Sequence, residues 1–120
     1  MLIDTLLNEL VSSVDGATGA IIVALDGEAV QFGTSTLSER LRLRGAYAAV
    51  VMKAFRLAAV RSGLGRLKHL VVKYNGSTLV IREIDDDCSV VLELKPNANV
   101  GRAVYRMEKA VPGLLHEITV

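Results

Sequence analysis

Apolar positions recur along the chain with two different periods, and the switches between them mark the elements. Ile3, Leu6, Leu7, Leu10, Val11 and Val14 are spaced three and four apart, which predicts an amphipathic helix over residues ~2–14, stopped by Asp15-Gly16. Thr18 to Leu25 and Glu28 to Gly33 are short β-rich runs joined by Asp26-Gly27, the pair that a type I′ hairpin turn favours for its positive φ angles. Gly19 to Leu25 is apolar throughout, as a strand covered on both faces must be. Thr36-Leu37-Ser38-Glu39 reads as a capping box and opens a long helix over residues ~37–62, released at Ser62-Gly63-Leu64-Gly65. Leu67 to Tyr74, Ser77 to Ile84 and Cys88 to Leu94 follow as a three-strand meander, with Asn75-Gly76 as a second type I′ turn and Asp85-Asp86-Asp87 as the other connection. Asn caps at Pro96-Asn97-Ala98-Asn99 lead into a last helix over Val100 to Ala110, ended by Pro112-Gly113. The predicted order αββαβββα lacks strict βαβ alternation. It therefore implies an α+β fold: one antiparallel five-stranded sheet with helices on both faces, in a single domain spanning residues 1–120.

The long helix carries two apolar stripes where a surface helix needs one. Leu41, Gly45, Ala48, Met52, Phe55 and Ala59 step along one side; Leu43, Tyr47, Val50, Ala54 and Leu57 step along nearly the opposite side. Arg42, Ala49, Lys53, Arg56 and Val60 form a more polar seam between them. Two apolar faces require two neighbours. The first stripe, with Met52 and Phe55, is assigned to the sheet. The second neighbour is either another internal helix or the same helix of a second subunit; the two terminal helices are needed on the sheet's other face, so the second subunit is preferred.

Composition agrees with an extra interface. An apolar fraction of 51% and a mean hydropathy of +0.38 are high for a chain of 120 residues, whose surface should be richly polar. The most apolar stretch, Gly45 to Val60, is interrupted by Lys53 and Arg56, so membrane insertion is not expected. The start Met1-Leu2-Ile3-Asp4 lacks the features of a secretory signal, and one cysteine fits a reducing compartment; the expected location is cytoplasmic. With 14 basic and 13 acidic residues the net charge is +1, which argues against nucleic acid as a partner. The dense run Arg40, Arg42, Arg44 reads as solvated helix surface.

Catalytic and ligand-binding patterns are missing. His69 and His116 lie far apart with no metal-ligand spacing, and Asp85-Asp86-Asp87 lacks the alternating ligands of a calcium loop, so neither metal nor cofactor is expected. Gly16-Ala17-Thr18-Gly19 and Gly63-Leu64-Gly65 lack the Lys-Ser/Thr of a phosphate loop and read as turn and cap glycines. Cys88 has no evident base to activate it and reads as a strand residue. The residues alone stop at an oligomeric α+β module that is not an enzyme.

In that order of elements, "GATGAIIVALDGEAV", "LKHLVVKYNGSTLVIREI" and "VVLELKPNANVGRAVYRM" resemble the first hairpin, central hairpin and last strand-to-helix passage of the Roadblock / dynein-light-chain family, over almost the whole chain. The resemblance implies pairing through the long helix and the strand after it. It adds Leu70 and Val72 to an interface of Leu43, Tyr47, Val50, Ala54 and Leu57, in a homodimer or a pair with a paralogue. It also implies a small Ras-like GTPase as partner, as for prokaryotic MglB-like members, with Arg42, Lys53 and Arg56 flanking the docking site. The other expectation within the family is a passive scaffold or sensory adaptor without effect on GTP hydrolysis.

Overall fold

The computed structural model describes residues 2–32 and 39–119. Helix α1 (Leu2–Ser12) is followed by β1 (Ala17–Ala24), β2 (Ala29–Phe32), the long helix α2 (Glu39–Ser62), the strands β3 (His69–Lys73), β4 (Thr78–Glu83) and β5 (Cys88–Leu94), and helix α3 (Val100–Ile118). All neighbouring strands are antiparallel, in the order β2-β1-β5-β4-β3. The body of this sheet is four strands wide, β1-β5-β4-β3. The fifth, β2, is a four-residue edge whose pairing with β1 shifts register between Ile22 and Val23. Of the predicted capping box, Thr36 to Ser38 lie outside the described residues.

Side-chain alternation divides the sheet between two cores. Ile21 and Val23 of β1, Leu79 and Ile81 of β4 and Val91 of β5 pack under α2 against Leu41, Ala48, Ala49 and Met52. Ala20, Ile22, Val80, Val90, Leu92 and Leu94 point the other way, to Leu7 and Leu10 of α1 and Ala103, Met107 and Leu114 of α3. Removing each such side chain from water contributes about 1.5–3 kcal/mol, which is why β1 had to be apolar at consecutive positions. Helix α2 lies close on the sheet because residue 45 is glycine; a Cβ there would come within 2.8 Å of Val23 Cγ1.

Three local expectations are corrected. The first hairpin does not close through a type I′ turn. Only Gly27 of the pair Asp26-Gly27 has positive φ, and the Ala24 N–H reaches the Glu28 carbonyl at 2.9 Å, so the loop is a longer turn with the glycine in the left-handed position. The second hairpin has the expected two-residue length, Tyr74 N–H meeting the Ser77 carbonyl at 2.8 Å, but neither Asn75 nor Gly76 takes positive φ. Helix α3 does not stop at Ala110. It begins under Asn99, whose side chain accepts the Arg102 amide at 3.0 Å, and continues through Pro112 and Gly113 to Ile118. Pro112 is on the exposed side, while Leu114 is fully buried and Gly113 faces Leu6 of α1; packing of this last turn outweighs the missing hydrogen bond.

Candidate functional site

Seen from the sheet, α2 is half used. Leu41, Gly45, Ala48, Ala49, Met52 and Ala59 are buried. The opposite stripe stays in solvent: Leu43, Tyr47, Val50 and Leu57 are 50–63% exposed and Ala54 is exposed with them. Phe55, expected under the helix, is instead 51% exposed. The partly buried apolar margin of the core under α2 is Leu67, Leu70 and Val72, and Phe55 lies outside it. Its exposure enlarges the outward apolar face, which Val60 and Tyr74 extend further.

A groove of about 500 Å³ runs between α2 and the β3–β4 hairpin, lined by Leu43, Tyr47, Val51, Val72, Tyr74 and Leu79. Its floor is apolar, and β3 beside it is an edge strand. Such an edge has a row of backbone groups without a sheet partner.

Two buried carboxylates hold α2 in place, and the sequence reading missed both. Glu93 of β5 and Glu83 of β4 occupy strand positions that face α2, in phase with Val91 and Ile81, and each side chain is only 3% exposed. Thr18 Oγ1 donates to Glu93 Oε1 at 2.6 Å, Arg40 Nη2 lies 3.3 Å from the same oxygen, and Arg44 pairs with Oε2. Burial pushes the Glu93 carboxyl up, but the bonds from Thr18 and Arg44 and the charges of Arg44 and Arg40 outweigh it, leaving the pKa below the ordinary value. Glu83 meets Arg56 Nε at 3.2 Å and Arg66 Nη2 at 3.4 Å, and both arginines also reach Asp86. The signal was in the alternation: a charged residue in an inward position needs a buried partner. Arg40 and Arg44, read as solvated surface, pair with Glu93; the Arg44 side chain is half-buried, while that of Arg40 stays largely in solvent.

The three candidate partner-binding cations therefore separate. Arg42 and Lys53 are exposed on one side of α2. Arg56 is turned inward, with a side chain 26% exposed and its guanidinium engaged by Glu83 and Asp86. His69 and His116 are exposed, and Asp85 Oδ1 accepts the Asp87 and Cys88 amides at 2.8 Å, as a turn-forming residue does. Burial raises the Cys88 thiol pKa, with Asp85 and Asp87 adding to it, so the group stays protonated and a poor nucleophile. Among the described residues no helix is long and apolar enough to cross a membrane.

The sequence matches no family model and no curated protein. Solved structures do match. A Roadblock/LC7 domain from Streptomyces avermitilis superposes with a TM-score of 0.88 at 19% identity, covering 98% of each chain. MglB of Myxococcus xanthus gives 0.85 at 14% identity over 99% of this chain and 96% of the other. MglC of the same organism gives 0.69 at 26% identity over 98% and 99%.

Proposed function

Starting from the Roadblock/LC7 fold, which this chain has, we propose that it is a cytoplasmic interaction module that pairs with itself or a paralogue and regulates a small Ras-like GTPase. The observation that carries the reading is the outward face of α2. Leu43, Tyr47, Val50, Ala54 and Leu57 form an exposed apolar stripe beside a groove and an unpaired sheet edge, an arrangement that favours a protein neighbour over water. A second copy would supply the same helix to the stripe and the same strand, with Leu70 and Val72, to the edge. This is the isologous contact of a two-fold dimer. An MglB of the same fold is itself known in a tetrameric arrangement, which supports self-association here.

Arg42 and Lys53, exposed beside that seam, would meet acidic groups on the GTPase. On this reading the module works without a nucleophile or phosphate loop of its own. Its effect would be to order the GTPase's switch segments and catalytic groups, which is where most of phosphoryl-transfer catalysis lies. The test adds the purified dimer to each small GTPase encoded beside it and follows phosphate release. Faster release supports regulation by activation; binding with unchanged release identifies a passive scaffold.

A further inference from the structure

We propose that the shelf between β3 and α3, on the side of the sheet away from α2, docks an acidic amphipathic segment of a partner protein. The shelf exists because α3 covers β4 and stops short of the edge strand. Register places His69, Val71 and Lys73 opposite Arg82, Val80 and Thr78, and Val80 belongs to the core under α1 and α3, so these β3 side chains face the α3 side. All three are nevertheless exposed. Helix α3 is tied over β4 by Glu108, whose Oε1 accepts from Arg82 Nε at 2.6 Å.

The step so formed has an apolar wall and a cationic rim. Val104, Glu108, Val111 and Leu115 recur three and four apart along α3 and share the Glu108 side, with the valines half-buried and Leu115 37% exposed. Tyr105 borders them, 54% exposed, with Lys109 Nζ 5.4 Å from its ring centre. Lys68, His69 and Lys73 are exposed around this step. Glu108 is held below the ordinary carboxylate pKa first by its bond from Arg82 and further by the charges of Arg82, His69 and Lys68, in keeping with the register that brings His69 beside Arg82.

The acidic residues at this end of the sheet are engaged by other groups, Asp86 by Arg56 and Arg66 and Asp85 by the amides of its own turn. Glu83 and Glu93 are buried on the α2 side in ion pairs, and Asp85 to Asp87 form the β4–β5 turn. Glu108 is the acidic group at the step, and Arg82 already neutralises it. A chain of net charge +1 thus presents a locally cationic shelf. A helix standing over a strand offers a ledge that suits a polypeptide segment better than a planar bilayer. Its apolar wall calls for aliphatic side chains and its rim for carboxylates. The shelf shares β3 with the proposed dimer seam but uses its other face: Leu70 and Val72 point to α2, whereas His69, Val71 and Lys73 point to α3, so edge pairing would leave these three side chains on the α3 face of the sheet.

The test is fluorescence anisotropy with a labelled peptide of repeated Glu-Glu-Leu-Leu, against the full chain and three variants. Lys68→Glu/Lys73→Glu should weaken binding about tenfold, as two rim contacts become repulsive, and wild-type affinity should fall with added salt. Val71→Asp should weaken it as well, and amide shifts on peptide addition should map to β3 and α3. Arg42→Glu/Lys53→Glu, on the α2 side, should bind as wild type. The inference is overturned if the peptide does not bind, if the Lys68/Lys73 variant binds equally, if the α2-side variant alone weakens binding, or if vesicles of equal phosphatidylserine and phosphatidylcholine bind while the peptide does not.

Discussion

Glu93 and Gly45 act through neighbours that only the folded chain supplies. The Glu93 carboxylate is buried under Arg40 and Arg44 and bonded by Thr18, so replacing it with glutamine leaves two guanidinium groups without their counter-charge. Glu93→Gln should lower stability at about pH 7 by about 1–3 kcal/mol in chemical denaturation. The pH dependence has a definite sign. Because the folded pKa is depressed, this contribution is complete above the unfolded-state value of about 4.3 and is lost as pH falls from there through the lower folded value. The difference between wild type and Glu93→Gln should therefore shrink on acidification to about pH 3; a constant difference would mean that the charge is not its origin. Gly45→Ala is a steric counterpart. Alanine is the better helix former by about 1 kcal/mol, yet its Cβ would press on the stiff Val23 side chain at 2.8 Å. A net loss of about 1–3 kcal/mol is expected in the same measurement.

Among the elements, α2 was the most legible and also the most instructive. Two stripes on opposite sides are visible as spacing alone, and the sheet takes the stripe of Leu41, Ala48 and Met52, as expected. Phe55 departs because spacing specifies the side of a helix and not how far the sheet extends beneath it; the ring stays half in solvent. Ala54→Glu follows from the exposed stripe. A charge buried in a helix-to-helix seam loses its hydration, so light scattering at micromolar concentration should show a dimer mass for wild type and a monomer mass for the variant. The subunit's own stability should change by less than about 0.5 kcal/mol, since Ala54 is exposed in the subunit. Lost stability at unchanged mass would place Ala54 inside the fold. Helix α3 shows the opposite limit of local reading: Pro112-Gly113 is a stop signal by propensity, overridden by burial of Leu114.

For the whole molecule, the near-cancelling charge hides a division between sides. Arg42 and Lys53 stay exposed on the α2 side, whereas Arg56 is engaged with Glu83 and Asp86. Arg42→Glu/Lys53→Glu should therefore weaken the complex with a GTP-loaded small GTPase by about 1 kcal/mol per contact and flatten its salt dependence, leaving dimer mass unchanged. Equal affinity and salt slope in both proteins would place the GTPase on another surface. What the sequence determined by itself was the set and order of elements, the two-sided burial of β1 and the double face of α2. Each is written in periods of two and of three to four, and these depend only on backbone geometry. The tertiary structure alone decided the strand order β2-β1-β5-β4-β3, the arginines that meet Glu83 and Glu93, and the reach of α3 over β4 but not β3. Those depend on contacts between residues distant in the chain, where packing and desolvation select one pairing among many that local pattern allows equally.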